Sequence, residues 1–402
     1  MKIGIITNLY PPYVRGGAEH VIVRTVEGLI SEGHDVFVVS TRPGSSNDPI
    51  VESSSSAERI YQFTPKNLYF VLDDYKNNVL TRFCWHVIDA FSKHTAKRVS
   101  SIVLEEQPDI VITHNLKGIG LRIPSYIRKN RLPHIHVVHD LQLIYPSGLL
   151  FFGKERKPFI MRPLYSIYRA ACRWLFQSPD MVIFPSEYLK DQYIQNGFFP
   201  QSRIEVLANP APEFIPVDRT GKPLGDLKLV FVGQLEEHKG VEFMIDAFKK
   251  YEGDAQLIIA GDGTLRSYVE KESEKSKKIT YLGYISIDQI VSVLGISDAL
   301  IVPSLCYENS PTVIYESLQA GIPVIAANIG GVGELLQNGK NGLLFKPASE
   351  QDLVRAITEL KQRREQFFAA QDEIKKTVEH YSLQEYVQKL IAKCSSISRT
   401  RK

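Results

Sequence analysis

The sequence predicts an α/β protein built from two doubly wound, Rossmann-like domains that face a shared cleft. Apolar strand-like runs alternate with amphipathic helical segments, a pattern typical of parallel sheets. The alternation starts again after FIPVDRTGKPLGD at 214–226, which is rich in Pro, Gly and charge and has no periodicity. With 402 residues, the chain is also long for a single core.

Residues 1–213 are expected to form the first domain. Its predicted strands are Lys2–Thr7, Asp35–Ser40, Asp109–Thr113, His134–His139, Met181–Pro185 and Ile204–Leu207. Its predicted helices are Gly17–Glu32, one long helix from about Asn77 to Glu106, Gly118–Lys129, Pro158–Phe176 and Glu187–Asn196. The SSSS run near Ser53 is interpreted as a loop.

Residues 214–226 are interpreted as the interdomain linker, and 227–380 as the second domain. Its predicted strands are Lys228–Val232, Gln256–Ala260, Ile279–Leu282, Ala299–Pro303, Pro323–Ala327 and Gly342–Phe345. Its predicted helices include Val241–Lys250, Leu265–Glu272, Asp288–Leu294 and a helical stretch Gln351–His380, followed by a last helix Leu383–Lys393. For the C-terminal segment 381–402, a return to the first domain is one alternative.

Composition excludes several classes of protein. Hydrophobic residues make up 44% and charged residues 23%, as in ordinary globular proteins, and the net charge of +3 does not call for nucleic acid. Residues 1–215 hold 24 Lys and Arg against 20 Asp and Glu, a net of +4, whereas residues 216–402 hold 24 against 25, a net of −1. The first half could therefore meet an acidic partner, either a phosphorylated acceptor or an anionic membrane.

The cysteines and the apolar runs indicate a cytoplasmic protein. Four widely separated cysteines form no paired motif, which argues against a disulfide framework or a zinc site and fits a reducing compartment. No apolar run approaches the length of a transmembrane helix, and the start MKIGIITN is interpreted as a strand and not as a signal peptide. Peripheral contact with the inner face of a membrane is left open.

The most informative segment is 304–334, SLCYENSPTVIYESLQAGIPVIAANIGGVGE. It carries two carboxylates, Glu308 and Glu316, with helix-start signals between them. Ser310 is expected to cap a helix that begins with Pro311, runs over Thr312–Ala320 and ends at a left-handed Gly321. This arrangement places Glu308 in the loop before the helix and Glu316 inside it.

The helix start between the two carboxylates predicts a ligand site. Its unpaired N–H groups and positive dipole end suit a phosphate, and the carboxylates can accept hydrogen bonds from hydroxyl groups. The flanking runs ALIVPS and IPVIAA are interpreted as strands, so the pair lies at strand carboxyl ends, where open α/β sheets bind ligands. Phosphate and many hydroxyls together describe a nucleotide-sugar. The alternative is a surface helix that merely carries two glutamates.

Two features of the first half are further candidates. Gly16 and Gly17 in YPPYVRGGAEH would let the backbone approach a ligand before the first helix, although a plain flexible loop is equally consistent. His139 ends the strand HIHVVHD at the edge where ligands bind. For His134 and His136, hydrogen bonding inside the domain is the preferred interpretation.

In the second half, FVGQLEEHKG supplies Gly233 for a tight turn and Lys239 before a helix, where its ammonium could neutralise a diphosphate. A solvated lysine is the alternative. Three Gly-x-Gly pairs lack the third glycine of a dinucleotide fingerprint, which disfavours a nicotinamide dehydrogenase; they start at Gly118, Gly261 and Gly331. No Walker A sequence and no Asp-x-Asp motif is present, so chemistry without a metal cofactor is expected.

Nine motifs in order resemble the retaining nucleotide-sugar glycosyltransferases of family 4, which have the two-domain GT-B fold. They are GGAEH, VVHD, PSEYLK, FVGQLEEHKG, IIAGDG, YLGYI, PSLCYENSPTVIYESLQAGIPVIA, GGVGE and NGLLF. The resemblance covers nearly the whole chain, and it implies that residues 1–213 bind the acceptor and that residues 227–380 bind the nucleotide-sugar donor. It also implies that the two domains close over the donor, which makes the cleft mobile.

The resemblance implies a role for each matching residue. Glu308 would contact hydroxyls of the donor sugar, Glu316 the ribose diol, and Lys239 the donor diphosphate. His139 would lie near the transferred sugar. The remaining donor-binding positions are Gly16, Gly17, Gly233, Gln234, Asn309, Ser310, Pro311 and Thr312, the last four through backbone N–H groups where these exist.

Two positions depart from the family pattern. Gln234 stands where an Arg usually follows the first glycine of the second domain, so the departing phosphate lacks one cation. The adjacent His238 is a hypothetical replacement. Asn209 is followed by Pro210 where a glycine is common, and no consequence is assigned to this change.

The expected function is therefore transfer of a sugar from a nucleotide-sugar to a glycan or lipid-linked acceptor, with retention, in bacterial surface polysaccharide or glycolipid synthesis. A non-catalytic nucleotide-sugar-binding protein and a GT-B epimerase are the alternatives. The stretch 151–176 interleaves aromatic and basic residues. It could dock on an anionic membrane, or equally pack its aromatics inward.

Overall fold

The computed structural model describes residues 1–44, 50–55, 58–155, 161–213 and 225–400. The chain divides into two compact units. Unit 1 comprises Met1–Leu149, Lys157–Asn209 and Leu383–Lys402, and unit 2 comprises Leu150–Arg156 and Pro210–Ser382. Each unit contains one sheet with helices packed on it, in agreement with the predicted α/β class. Most of the expected linker, residues 214–224, lies outside the described residues.

Unit 1 is built on an eight-stranded sheet with the order β3-β4-β2-β1-β5-β6-β7-β8. Its strands are β1 Lys2–Ile6, β2 Asp35–Thr41, β3 Ile50–Ser55, β4 Glu58–Phe63, β5 Ile110–Thr113, β6 His134–Val137, β7 Met181–Phe184 and β8 Arg203–Val206. All neighbouring strands are parallel except β3 and β4.

The edge of this sheet corrects the sequence interpretation. The serine run near Ser53 was expected to be a loop, but β3 includes it through Ser55 and pairs with β4. Serine has little preference for strands, so the pairing with β4, which itself pairs with β2, decides the structure here.

The helices of unit 1 are α1 Gly17–Ser31, α2 Val79–Phe91, α3 Lys93–Glu106, α4 Ile123–Lys129, α5 Arg162–Phe176, α6 Glu187–Gln195 and, from the C-terminus, α15 Leu383–Thr400. The single long helix expected from about Asn77 to Glu106 is wrong. Ser92 adopts an extended conformation and its hydroxyl accepts a hydrogen bond from Thr95 N, so it ends α2 and caps α3.

The C-terminal helix α15 is part of the core of unit 1. Its buried side chains include Val387 and Leu390, and it packs against α1. A Cβ on Gly28 of α1 would press on Val387, so this glycine permits the close helix contact. Near its end, Lys393 Nζ lies 2.6 Å from Glu205 Oε2.

Unit 2 contains a six-stranded, all-parallel sheet with the order β11-β10-β9-β12-β13-β14. Its strands are β9 Leu227–Val232, β10 Ala255–Ala260, β11 Ile279–Tyr281, β12 Ala299–Val302, β13 Val324–Ala327 and β14 Gly342–Phe345. These are the six strands that the sequence predicts, with small differences at their ends.

The helices of unit 2 are α7 Val241–Lys249, α8 Arg266–Lys275, α9 Ile287–Gly295, α10 Thr312–Gln319, α11 Val332–Leu335, α12 Glu350–Gln362, α13 Arg364–Ala369 and α14 Gln371–Lys376. The helical stretch expected over Gln351–His380 is divided into three helices. The first break lies at Arg363, and Arg364, the first residue of α13, pairs with Asp298 at 2.8 Å.

The stretch 151–176 is divided between the units. Phe151 pairs with Cys306 in an isolated bridge of unit 2, and Tyr307 donates a hydrogen bond to Glu155 at 2.8 Å. The basic and aromatic helix itself is α5 of unit 1, whose expected first residues 158–160 lie outside the described residues.

Candidate active site

Lys239 and Glu308 form an ion pair in unit 2, although they lie 69 positions apart in the sequence. Lys239 Nζ lies 3.0 Å from both carboxylate oxygens of Glu308. The hydroxyl of Ser304 also donates a hydrogen bond to Glu308. Glu308 lies in the loop between β12 and α10, as the sequence predicts, and Lys239 ends the turn that follows β9. The lysine expected for a diphosphate is therefore bound to the glutamate expected for a sugar.

The pair stays ionised at neutral pH. Burial acts to raise the pKa of Glu308, but the charge of Lys239 and the hydrogen bonds from Ser304 and Lys239 outweigh it, so the pKa lies below its ordinary value. Burial acts to lower the pKa of Lys239, and the charge of Glu308 overcomes this and raises it. A positive charge on His238 would lower the pKa of Glu308 further.

Two glycines shape the loops that carry Lys239 and Glu308. Gly240 has φ +75°, and a Cβ there would collide with the carbonyl oxygen of Pro303. Gly330 has φ +61°, and a Cβ there would collide with the carbonyl oxygen of Glu308 itself. The neighbouring Gly331 N donates to that carbonyl oxygen at 2.7 Å. The motifs HKG and IGGVGE thus carry glycines that hold Lys239 and Glu308 in place, a role that the sequence did not reveal.

The helix start after Glu308 differs in detail from the prediction. Pro311, and not Ser310, is the N-cap residue of α10, and Thr312 is the first helical residue. The hydroxyl of Ser310 instead forms a hydrogen bond of 2.8 Å with the hydroxyl of Tyr315. Asn309 lies half-buried in the same loop. Glu316 is inside α10 and buried, as predicted, and Gly321 follows the helix with φ +72°.

The glycines at the ends of β9 and β10 allow the backbones of these two strand ends to lie in close contact. Gly233 N donates to Ala260 O at 3.1 Å, and a Cβ on Gly261 would collide with Gly233 O. Gly263 similarly abuts the backbone of Leu235. This close approach explains why the Gly261-x-Gly263 pair occurs without a dinucleotide fingerprint. Gln234, between these contacts, is exposed.

In unit 1, the glycine loop leads directly into α1. Gly16 is the N-cap residue, and its N–H donates to Glu19 Oε2 at 2.8 Å. A Cβ on Gly16 would meet nothing within 4 Å, so packing against the described residues does not require a glycine at this position. Gly17 is the first residue of α1. The buried Glu19 carboxylate thus already occupies part of this helix start.

His139 is held by a second histidine that sequence reasoning did not single out. Its Nε2 lies 2.9 Å from Nδ1 of His114, and the two rings stack with centroids 5.2 Å apart. Both histidines follow strands at the carboxyl edge of the sheet, His114 after β5 and His139 after β6. Burial lowers the pKa of His139 to about 4 and that of His114 well below its ordinary value, so both are neutral at neutral pH.

The other strand histidines are bonded inside the unit. Thr113 Oγ1 lies 2.8 Å from His134 Nε2 and 2.9 Å from His136 Nδ1. Burial lowers the pKa of His136 to about 3. Both side chains are therefore structural, which is the interpretation that the sequence favoured.

Further polar side chains form hydrogen bonds after the strands of this sheet, and the sequence analysis did not single out most of them. Gln142 Nε2 donates to Asn115 Oδ1 at 2.7 Å, and Asn8 Nδ2 donates to Lys117 O at 2.9 Å. Burial raises the pKa of Asp140 to about 6 and lowers that of Lys117. The available signal was that these residues directly follow predicted strands.

Comparison with known proteins decides the family. Residues 15–212 match the model of the protein family described as Glycosyltransferase Family 4. Residues 217–378 match the model of the family described as Glycosyl transferases group 1. An uncharacterized glycosyltransferase of Methanocaldococcus jannaschii is 33% identical over 262 residues, which cover 65% of this chain and 67% of that protein. The chain belongs to glycosyltransferase family 4.

Two further proteins are similar to this family 4 glycosyltransferase. Glycogen synthase of Mycobacterium tuberculosis is 25% identical over 385 residues, covering 89% of this chain and 85% of that one. The chain is also similar to the solved structure of the Anabaena protein HepE in complex with UDP-glucose, with a TM-score of 0.66 and 16% sequence identity. The match covers 98% of this chain and 100% of that chain. The latter likeness confirms the GT-B fold.

The contact between His114 and His139 allows a test of the role expected for His139 in this family 4 glycosyltransferase. His114 fixes the ring of His139 through one hydrogen bond, so His114→Leu should lower kcat about tenfold and leave the Kd for the donor unchanged. His114→Asn keeps an amide near the position of Nδ1 and should retain most of kcat. Equal losses in both variants, or a parallel loss of donor affinity, would show that His114 only supports the fold.

No cation site is evident in the described part of the family 4 glycosyltransferase. Among those residues, no three His, Cys, Asp or Glu side chains converge as ligands for a metal ion. All four cysteines are free thiols, with Cys84 exposed and Cys172, Cys306 and Cys394 buried.

Proposed function

We propose that this glycosyltransferase uses a nucleotide-sugar donor and transfers the sugar, with retention and without a metal cofactor, to a glycan or lipid-linked acceptor. The observation that supports this proposal is the cluster of Lys239, Glu308 and Ser304, in which Glu308 lies in the loop that leads into α10. In this cluster, Lys239 can bind a phosphate and Glu308 can accept hydrogen bonds from hydroxyl groups. The start of α10, directly after Glu308 in the loop, offers N–H groups as further donors.

The Lys239–Glu308 pair supports a specific order of events. Without donor, the ammonium neutralises the carboxylate, so neither charge is buried alone. A bound diphosphate would draw the ammonium toward itself and free carboxylate oxygens to accept hydrogen bonds from sugar hydroxyls. One ion pair would then be exchanged for two contacts that both hold the donor.

The proposed reaction is front-face attack. The acceptor hydroxyl oxygen forms a bond to the anomeric carbon while the bond from that carbon to the donor phosphate oxygen breaks. The acceptor proton passes to the departing phosphate oxygen. Lys239 and the α10 N-terminus stabilise the negative charge that develops on that phosphate. His139 lies in the other unit, and its proposed place near the transferred sugar rests on the family resemblance.

The acceptor and pathway are proposed at the level of class. A relative named glycogen synthase supports growth of a glycan polymer, and the structure solved with UDP-glucose supports a nucleotide-sugar donor. We propose a cytoplasmic enzyme of bacterial surface polysaccharide or glycolipid assembly.

Product analysis tests the proposal. The protein is first screened by thermal shift against UDP-, GDP- and ADP-sugars, because a bound donor raises the melting temperature. The best donor is then incubated with and without EDTA, and the products are analysed by NMR for the anomeric configuration. Transfer or slow hydrolysis with retention supports the proposal. Epimer formation, or binding without turnover, would overturn it.

Glu316 provides a test of donor binding alone. Replacing its buried carboxylate removes the expected acceptor for the ribose diol, so Glu316→Ala should weaken donor binding by about 1.5–3 kcal/mol, measured by calorimetry. Glu316→Gln keeps the shape and one acceptor oxygen and should lose less. Unchanged donor affinity in the alanine variant, with the fold intact by circular dichroism, would contradict the ribose assignment.

A further inference from the structure

Helix α2 carries an exposed apolar stripe that no described residue covers. Val79, Phe83 and Val87 lie one helical turn apart, with exposed fractions of 84%, 59% and 44%. Further exposed apolar side chains on α2 are Leu80, Ile88 and Phe91. The charged residues of α2 lie elsewhere, because Arg82 donates to Asp74 O and Asp89 is buried. An apolar patch of this extent is uncommon on a protein surface without a partner.

Helix α5 extends the apolar surface. Its side chains Leu164, Ile167 and Trp174 are exposed, the last two by 67% and 60%. Arg122, at the start of α4, joins the two helices: its Cζ lies 5.9 Å from the ring centroid of Phe91 on α2 and 6.0 Å from that of Trp174 on α5. We call the surface formed by α2, α3, α4 and α5 the α2–α5 face.

The α2–α5 face is basic. The stretches 93–104, 118–139 and 161–176 contain ten Lys and Arg and no Asp or Glu. Helix α4 packs against both α3 and α5, so these charges share one helical layer. Among the acidic residues that flank these stretches in sequence, Asp89 is buried, Asp140 and Asp180 are half-buried, and Glu105 is exposed at the end of α3.

We infer that the α2–α5 face docks on an anionic lipid bilayer. Apolar helix side chains would enter the acyl boundary, Trp174 would lie at the interface, and the lysines and arginines would meet lipid phosphates. A second copy of the chain fits less well, because a symmetric contact would place the ten basic residues against one another. No helix among the described residues is long and apolar enough to cross a bilayer.

Vesicle sedimentation with the full chain tests this inference. Wild type should sediment with vesicles that contain phosphatidylglycerol and phosphatidylcholine in equal amounts, and much less with phosphatidylcholine alone. The combined variant Val79→Ser, Phe83→Ser, Val87→Ser should partition about tenfold more weakly or worse. Lys93→Glu with Lys97→Glu should weaken partitioning about fivefold or more for each lysine, and salt should weaken wild-type binding.

Matched controls lie in unit 2. Tyr284→Ser with Ile296→Ser removes exposed apolar side chains, and Lys271→Glu with Lys277→Glu reverses exposed charges, and both should bind vesicles like wild type. Equal sedimentation with both vesicle types, or equal losses in control and test variants, would overturn the inference. So would a concentration-dependent dimer in light scattering that only the α2 variant abolishes. All of these variants should keep donor affinity, so the result is independent of the proposed function.

Discussion

Replacing Lys239 with methionine should lower the rate of sugar transfer by about 100-fold to 1,000-fold and also destabilise unit 2. The rate falls because the departing phosphate loses its cation. Stability falls because Glu308, only 13% exposed at its side chain, is left as a buried charge without its partner, at a cost of about 3 kcal/mol. Steady-state kinetics and urea unfolding measure the two effects separately.

A double variant separates the two effects of Lys239. Lys239→Met combined with Glu308→Gln removes both charges, so it should regain most of the lost stability and none of the activity. The exposed pair Lys250–Glu350 is the control, and Lys250→Met should cost at most about 0.5 kcal/mol. If the double variant were as unstable as Lys239→Met, the ion pair would not be the source of the loss.

The stability lost in Lys239→Met should depend on pH, and the direction of this dependence follows from the pKa of Glu308. In wild type the lowered pKa of Glu308 contributes stability above its unfolded-state value near 4.5, and this contribution is lost as the pH falls below that value. In Lys239→Met, burial without the cation raises the pKa, so protonated Glu308 is tolerated at low pH and charged Glu308 is penalised as the pH rises. The difference in unfolding free energy between the two proteins should therefore be full near about pH 7 and should shrink as the pH falls below about 4.5, through the lowered pKa of Glu308.

Replacing Gly330 with alanine should cost about 3 kcal/mol in stability and lower activity about 100-fold. Its φ of +61° is unfavourable for alanine, and the new Cβ would also collide with the carbonyl oxygen of Glu308. The collision would displace the loop that carries Glu308. Urea unfolding and kcat/KM report the two losses.

Gly283 is a matched control for this substitution. Its φ is +71°, but a Cβ there would meet nothing within 4 Å. Gly283→Ala should therefore cost only the backbone conformation, about 1 kcal/mol, and keep full activity. If Gly330→Ala behaved like Gly283→Ala, the contact with Glu308 would not constrain the site.

Local patterns were enough to predict most of the fold. The six strands of unit 2 and six of the eight strands of unit 1 were found, because buried parallel strands are short apolar runs flanked by turn signals. The strands β3 and β4 were missed, since β3 is rich in serine and the short run ERIYQF of β4 mixes charged and apolar residues. The break between α2 and α3 was missed because only the cap at Ser92 marks it.

The candidate site was predicted in part. The positions of Glu308 before α10 and Glu316 within it follow from cap residues and helix period, both local signals. Ser310 was assigned the wrong partner, because its hydrogen bond to Tyr315 competes with capping and depends on side-chain packing. His114 was overlooked because its importance comes from contact with His139, which lies on a different strand end.

By itself, the sequence determined the α/β class, the order of motifs that places the chain in family 4, and the loop and helix that carry Glu308 and Glu316. These depend on residue period and turn chemistry over a few neighbouring positions. Only the tertiary structure decided that Lys239 binds Glu308, that Gly330 shapes its loop, and that the apolar stripe of α2 faces outward. The reason is physical: ion pairing, close backbone contact and burial are set by groups far apart in the chain, which only folding brings together.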